Sequence, residues 1–501
     1  MPARRLRLRR ADVEPRAVGP SAVPDELAAA WQRLRDRLGI PGDFPPEVLA
    51  EARAAAARGP EVPEGAATER IDRTDLPFLT IDPEGSRDLD QAVCVRAEGD
   101  GFRVWYAIAD VAAFVRPGGA LDREAHRRGQ TLYAPDRRTP LHPPELSEDA
   151  ASLLADADRP ALLWSVRLDA DGRAVEAGVT RATVRSRARL SYPEAQRALD
   201  DPAVDLAGGD ESRETLHRLR DVGRLREALE IARGGVSLDL PDQEVERTGT
   251  GWRLVYRALL PVEGWNAQIS LLTGMAAADL MLGGRVGVLR TLPAADDGAV
   301  RRLRRIARAL GLDWPTGQPY PDFVRALDPS RPAEAAMLTA CTTLFRGAGY
   351  TAFDGEAPEH PGHAALAADY AHATAPLRRL VDRYVGEVCL ALTAGRPVPA
   401  WARAALPALP AAMTASERTA HGYERAVIDL AEVVVLADRV GEVFTGTVVE
   451  LDDKPGRGRI MITDPAVEAR ITGPSLELGA AVQARLAAAD LEQGSVVFVQ
   501  A

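Results

Sequence analysis

Acidic residues gather in the segment TIDPEGSRDLDQAV, residues 80–93. Asp82, Asp88 and Asp90 fall within nine positions of one another, and a proline and a glycine between them favour a turn. Such a turn can bring the first carboxylate beside the other two. Because converging carboxylates repel one another, they call for a hard cation, and magnesium prefers oxygen ligands with water and phosphate completing its shell. The segment therefore indicates metal-assisted phosphoryl chemistry, although most Asp-rich loops are surface turns.

A second segment with chemical potential lies almost 300 residues later, in ADYAHATAPLRRLVDRYVGE, residues 368–387. Pro376 suits the first turn of a helix, where free N–H groups and the helix dipole favour a nearby phosphate. Arg378 is then placed to stabilise charge that develops on a transferring phosphoryl group. The alternative is an ordinary helix with surface arginines.

Taken together, the two segments resemble the RNB catalytic domain of the RNase II and RNase R exoribonucleases. That family has an aspartate cluster of this spacing and a distal Tyr-x-His-x-Thr-Ser-Pro-Ile-Arg-Arg segment, which corresponds here to YAHATAPLRR. Intervening stretches agree in the same order: IADVAAFV from Ile108, GQTLYAPDRRTPLHPPELS from Gly129, VRSRARLSYPEAQ from Val184 and PGH from Pro361. The resemblance covers about residues 75 to 430.

The resemblance implies a divalent-cation site for Mg²⁺, or Mn²⁺ in its place, and two-metal hydrolysis of RNA. Asp82 and Asp88 match metal-organising positions, and Asp90 matches the carboxylate most closely tied to cleavage. Gln91, next to Asp90, completes the expected metal-binding set. Arg378 matches the arginine that stabilises the scissile phosphate.

It also implies a channel that admits single-stranded RNA and releases nucleoside 5′-monophosphates. Tyr133 matches an aromatic residue that clamps the 3′-terminal nucleotides, and stacking on a ring suits any base. Glu424 matches an acidic residue near the terminal ribose, where a carboxylate can accept from hydroxyls and distinguish RNA from DNA. Thr374 and Arg379 are expected to bind substrate with them.

The sequence also departs from the family pattern. Gln91 stands where a fourth aspartate is usual; its amide oxygen can still bind magnesium, but one negative charge is lost. Ala375 replaces a serine, Leu380 replaces an aromatic residue, and two expected glutamates are absent around Gln268. These changes leave open a weakened catalyst.

Composition limits the remaining possibilities. The chain has 501 residues, of which 46% are hydrophobic, which supports a sizeable core. Its formal charge is −11, from 62 basic and 73 acidic residues, so any nucleic-acid site must be local. We find no run of about 18 apolar residues that would cross a membrane. We expect a cytoplasmic monomer without an obligate protein partner.

Cysteine and histidine give no sign of a zinc site. Cys94, Cys341 and Cys389 are far apart and form no CxxC pair. His363 and His372 have no second histidine or cysteine at ligand spacing, so we expect them to have structural roles.

The elements that must position these residues suggest an α+β fold. Two short helices are predicted in residues 25–58, strands from about residue 80, a buried helix over 266–281 and a long helix over 416–439. Five short strands then indicate a small β-barrel of the OB type. From residue 440 onward there are nine acidic and five basic residues, so packing remains an alternative role for this barrel.

We predict three regions: a short helical N-terminal region (1–70), an RNB-like catalytic domain with a mixed sheet, surrounding helices and a central channel (71–438), and an OB/S1-like β-barrel (439–501). The leading functional hypothesis is a 3′–5′ exoribonuclease. An RNA-binding regulatory protein with weakened catalysis is the alternative. A phosphoesterase for small nucleotides would need a shallow pocket and fits the long resemblance less well.

Overall fold

The computed structural model describes residues 7–10, 25–63, 65, 69–238, 242–247, 252–329, 331–452 and 454–501. The rest of the predicted N-terminal region lies outside the described residues.

Twenty strands are present in these ranges. They are β1 Arg7–Arg10, β2 Ile71–Asp72, β3 Phe78–Asp82, β4 Gln91–Glu98, β5 Gly101–Ala109, β6 Leu132–Tyr133, β7 Arg138–Thr139, β8 Asp158–Leu168, β9 Ala174–Ser191, β10 Asp242–Arg247, β11 Trp252–Arg257, β12 Val286–Thr291, β13 Gly349–Asp354, β14 Gly362–His363, β15 Ala368–Asp369, β16 Val443–Leu451, β17 Arg457–Ile462, β18 Val467–Thr472, β19 Ala481–Asp490 and β20 Ser495–Gln500.

Twelve α-helices accompany the strands within the same ranges. They are α1 Asp25–Leu38, α2 Pro46–Arg58, α3 Ala120–Arg128, α4 Tyr192–Asp200, α5 Gly209–Ala232, α6 Pro261–Gly284, α7 Asp297–Ala309, α8 Tyr320–Arg325, α9 Pro332–Cys341, α10 Leu380–Thr393, α11 Ala400–Ala405 and α12 Leu409–Leu436. No helix in the described part of the chain is long and apolar enough to cross a membrane.

The central sheet has the strand order β2-β9-β3-β4-β5-β8 and curls round on itself. Strand β9 pairs antiparallel with β8 along its first part and parallel with β3 at its end. In β4, Val93 and Val95 join the core under α5, α6 and α10, whereas Ala92 and Cys94 join the core under α2 and α3. Because successive side chains alternate between the faces of a strand, an apolar strand can serve both cores.

A closed five-stranded barrel, in the order β16-β17-β18-β20-β19, ends the chain. Phe444, Ile460 and Phe498 fill its interior, in one cluster with Leu436 of α12 and Leu254 of β11. The predicted α+β class with a C-terminal OB/S1-like barrel is confirmed. Helix α12 begins seven residues earlier than predicted, at Leu409 instead of Ser416, and ends at Leu436.

Candidate active site

The aspartate segment is a loop between β3, which ends at Asp82, and β4, which begins at Gln91. Gly85 has a φ of +78°, a conformation that favours glycine, and the Ser86 N–H donates to the Pro83 carbonyl at 3.1 Å. The buried Leu89 N–H donates to the Ser152 hydroxyl at 3.0 Å. A turn at one end and an anchor at the other therefore fix the loop.

Asp90 is buried, with 2% of its surface exposed, and meets the distal segment directly. Its Oδ1 accepts a hydrogen bond from the Leu377 N–H at 2.7 Å, and Arg378 Nε lies 3.4 Å from its Oδ2. Burial raises the pKa of Asp90 well above its usual value, and the opposing effects of Arg378 and the Leu377 N–H do not cancel it. The fold thus brings together the two residues predicted to be catalytic.

Asp82 and Asp88 lie in the same electrostatic neighbourhood. Burial raises the pKa of Asp82 to about 7, with Arg378 lowering it and Asp88 raising it further. Asp88 accepts a hydrogen bond from Arg138, which also contacts Glu148. Asp88 is therefore tied to the β6–β7 hairpin, whereas the Oδ2 atoms of Asp82 and Asp90 are enclosed without a hydrogen-bond partner among the described residues.

The donor set around this loop fits a magnesium ion. Two enclosed carboxylate oxygens that accept no hydrogen bond are costly in a protein interior, even though the Asp90 oxygen faces the Arg378 guanidinium, and a cation would neutralise them. Within the described ranges, no three His, Cys, Asp or Glu side chains are close enough to hold a metal ion by themselves. Magnesium usually takes only one or two carboxylates and completes its shell with water and phosphate, so the enclosed carboxylates of Asp82 and Asp90 are the candidates to hold it.

The distal segment is a turn, and the predicted helix start at Pro376 is wrong: α10 begins at Leu380. The N–H groups of Arg378 and Arg379 both donate to the Ala375 carbonyl, and Arg379 then adopts extended backbone. Within this turn, the Leu377 N–H donates to Asp90. The side chain of Arg378 is 45% exposed, so a phosphate can approach it.

A buried aspartate stabilises this turn. Asp382 accepts from the Ala375 N–H at 2.7 Å and from Arg379 Nη2 and Nε at 2.8 and 2.9 Å. Arg379 is thus held by an ion pair and is 18% exposed at its side chain.

Gln91 and Thr374 contact each other across the two segments. Gln91 Nε2 donates to the Thr374 carbonyl. The Thr374 hydroxyl is 2.7 Å from the Ser270 hydroxyl on α6, and the residue is 2% exposed. The threonine side chain therefore faces α6.

Tyr133 lies beside the carboxylates, on the β6–β7 hairpin. It is paired with Arg138 in register and is 37% exposed. The Thr131 N–H donates to the Arg378 carbonyl at 3.0 Å, and the Leu380 N–H donates to the Gly129 carbonyl at 3.0 Å. This pairing places the tyrosine near Arg378. Glu424 lies partly buried on α12, a helix that packs against β6.

Two residues beside the candidate site received no role from sequence reasoning, Arg138 and His142. Arg138 pairs with Asp88. His142 is buried close to the Pro376 backbone, and burial lowers the pKa of its ring. Both residues lie in the stretch GQTLYAPDRRTPLHPPELS, whose agreement with the family was the only available signal.

The two histidines for which structural roles were predicted are neutral. Burial lowers the pKa of His363 to about 4 and that of His372 well below its usual value. His372 Nδ1 lies 2.8 Å from the Tyr350 hydroxyl, which donates to Glu417.

Comparison with known proteins matches two parts of the chain to known domains. The model of the RNB domain matches residues 70–393, and that of the RNase II-type exonuclease C-terminal S1 domain matches residues 442–501. Ribonuclease R of Escherichia coli K12 is 30% identical over 487 residues, which cover 87% of this chain and 58% of the relative. Ribonuclease R of Aquifex aeolicus is 28% identical, covering 95% of this chain and 70% of the relative.

The solved structure of Mycoplasma genitalium RNase R in complex with ribose methylated single-stranded RNA has the same fold. It superposes with a TM-score of 0.84 at 18% identity and covers 95% of this chain and 78% of that chain. The present chain spans somewhat more than half the length of the E. coli relative. By its domain matches, the chain belongs to the RNB-domain family of RNase II- and RNase R-type exoribonucleases.

Proposed function

We propose that this protein is a magnesium-dependent 3′–5′ exoribonuclease that hydrolyses single-stranded RNA to nucleoside 5′-monophosphates. The observation that carries the proposal is the meeting of Asp90 with the Leu377 N–H and the Arg378 guanidinium. A buried acid beside an accessible cation suits a phosphodiester, because the acid serves the attacking water and the cation stabilises negative charge in the transition state.

In this proposal Asp90 and Arg378 are catalytic, and Asp82, Asp88, Asp90 and Gln91 organise two divalent ions. When bound, such ions supply an activated water and neutralise charge on the leaving oxygen. Arg378 approaches the scissile phosphate from the exposed side. Mn²⁺ is expected to replace Mg²⁺, since both favour oxygen ligands.

The RNA would be held by residues around the same turn. The exposed ring of Tyr133 offers a stacking surface that accepts any base. Thr374 and Arg379 shape the pocket for the terminal nucleotides, and Glu424 accepts from ribose hydroxyls, which favours RNA over DNA.

We assign one role to each predicted region. Residues 1–70 support the catalytic domain, residues 71–438 catalyse RNA hydrolysis, and residues 439–501 assist in RNA binding. We propose a cytoplasmic protein that acts as a single chain on RNA and not at a membrane.

A direct test uses 5′-labelled single-stranded RNA with Mg²⁺. The wild type should produce a ladder that shortens from the 3′ end, and DNA of the same sequence should survive. Asp90→Asn should bind RNA without shortening it, whereas Asp75→Asn, at an exposed surface position, should match the wild type. Internal cleavage, or an active Asp90→Asn variant, would refute the proposal.

The alternative function is an RNA-binding protein with weakened catalysis. Gln91 favours it, since this amide replaces a carboxylate and donates to Thr374. Tight RNA binding without shortening, even with Mn²⁺, would establish this second function.

A further inference from the structure

Gln91 joins the aspartate loop to the distal turn. It is the first residue of β4 and is paired in register with Ile108, and the neighbouring Asp90 carbonyl accepts from the Ala109 N–H at 2.9 Å. The base of the Gln91 side chain is therefore fixed by the central sheet. From this base its amide nitrogen donates to the Thr374 carbonyl.

The chemistry of the partner settles the orientation of the amide. A backbone carbonyl only accepts hydrogen bonds, so the Gln91 NH₂ group must face it. An aspartate or glutamate at position 91 would present an acceptor to an acceptor at this contact. Gln91 therefore makes a contact that an acidic residue cannot make.

Several contacts hold the turn carrying Arg378, and this one is among them. Gln91 holds the Thr374 carbonyl, Asp382 holds the Ala375 N–H, Asp90 holds the Leu377 N–H, and the Thr131 N–H donates to the Arg378 carbonyl. The contacts of Gln91 and Asp90 come from adjacent residues at the start of one strand. A shift of β4 relative to the turn would thus change the distance between Asp90 and Arg378.

We propose that Gln91 is a positioning residue, which fixes Arg378 relative to Asp90 through Thr374, and that it is not a metal ligand. This inference rests on the proposed function and removes Gln91 from the residues proposed there to organise the divalent ions. Asp82 and Asp90, with their enclosed oxygens, then hold the cation without Gln91.

The test compares Gln91→Met, which keeps the length of the side chain but cannot donate, with Gln91→Glu, which keeps the shape and adds a charge. Gln196→Met, on α4, where the amide donates to Asp200, is the matched control. The three measurements are Mn²⁺ affinity without RNA by electron paramagnetic resonance, amide hydrogen exchange over residues 374–379, and kcat and KM on single-stranded RNA.

For Gln91→Met we expect a Mn²⁺ affinity within about twofold of the wild type and faster amide exchange over residues 374–379. The kcat should fall by about tenfold or more with little change in KM, because the reacting groups are misplaced. Gln91→Glu should not restore kcat. The control should match the wild type in all three measurements.

A fall in Mn²⁺ affinity of about tenfold in Gln91→Met, or a Gln91→Glu variant as active as the wild type, would show that Gln91 is a ligand and overturn the inference. Unchanged exchange would also overturn it. If Gln91→Met does not fold, Gln91→Asn, whose amide is one methylene too short to reach Thr374, replaces it. If the wild type does not degrade RNA, exchange and Mn²⁺ affinity still decide the role of Gln91 independently of the proposed function.

Discussion

At the scale of single residues, the candidate site contains buried carboxylates whose charged forms are unfavourable in a protein interior. The buried Asp90 carboxylate contacts one N–H donor and one guanidinium. One oxygen of the Asp82 carboxylate is enclosed and has no hydrogen-bond partner among the described residues. Burial favours the neutral form of both acids, as the raised pKa of Asp82, about 7, reflects. A divalent cation would restore the charged forms, so cation binding and the ionisation of these acids are coupled.

His142 gives a pH-dependent prediction at the same scale. Burial lowers the pKa of the ring to about 3, whereas in an unfolded chain it is about 6.5. Between these values the unfolded state binds a proton that the folded state excludes, so the free energy of unfolding falls as the pH drops below about 6.5 and is unaffected above it. Between pH 7.5 and pH 5.5, the free energy of unfolding of His142→Gln should therefore fall by about 1.4 kcal/mol less than that of the wild type.

Urea unfolding at the two pH values measures this difference. His360→Gln is the control, because the His360 side chain is 89% exposed, and its pH-dependent loss should equal that of the wild type. Equal losses in His142→Gln and the wild type would show that His142 is not held neutral by the fold.

Residue types, spacing and the family resemblance together directed attention to the three aspartates and Arg378, and the structure places Asp90 beside Arg378. The sequence could not show that Asp88 pairs with Arg138 or that His142 is buried. Both features depend on how the β6–β7 hairpin and the loop after it fold over the aspartate loop, and no local pattern specifies that.

At the scale of elements, helix α6 is the support against which the distal segment lies. Gly274 faces Tyr370, and the Ala371 N–H donates to the Gly274 carbonyl at 3.0 Å. A Cβ atom at position 274 would overlap both the Tyr370 ring and the Ala371 carbonyl oxygen. The absence of a side chain thus lets the segment approach the helix closely.

Gly274→Ala should therefore displace the distal segment. We expect a destabilisation of about 1–3 kcal/mol from overpacking and a loss of kcat of about tenfold or more, because Arg378 moves relative to Asp90. Thermal unfolding and RNA digestion under saturating substrate measure the two effects.

Gly283→Ala is the matched control on the same helix, since nothing lies within 4 Å of its added Cβ. It should keep wild-type kcat and be slightly more stable, because alanine loses less entropy than glycine in a helix. A Gly274→Ala variant with wild-type kcat would contradict the supporting role of α6.

Element boundaries were predictable where caps and periodicity are strong. Helix α2 runs from Pro46 to Arg58, within the predicted range 25–58. The buried helix α6 was predicted over 266–281 but begins at Pro261, because a proline and Glu263 form its first turn before the apolar stretch starts. The distal segment was misjudged, since Pro376 is compatible with both a turn and a helix start.

At the scale of the whole molecule, the N-terminal helices are part of the central structure. Trp31 of α1 is fully buried against Tyr423 and Val427 of α12, in one cluster with Leu132 of β6. Arg35 contacts both Asp136 and Tyr423. The sequence predicts a helix here, but local pattern cannot show which distant helix it packs against.

Because Leu132 precedes Tyr133, we expect α1 to stabilise the hairpin that presents this ring to RNA. Trp31→Ala should lower the free energy of unfolding by about 3–5 kcal/mol and raise the KM for single-stranded RNA severalfold. Trp314→Ala removes a tryptophan of similar burial that stacks on Phe323 in another cluster, so it should cost similar stability and leave KM unchanged. Urea unfolding and initial rates over a range of RNA concentrations separate the two variants. Equal KM values in both would show that α1 contributes to stability alone.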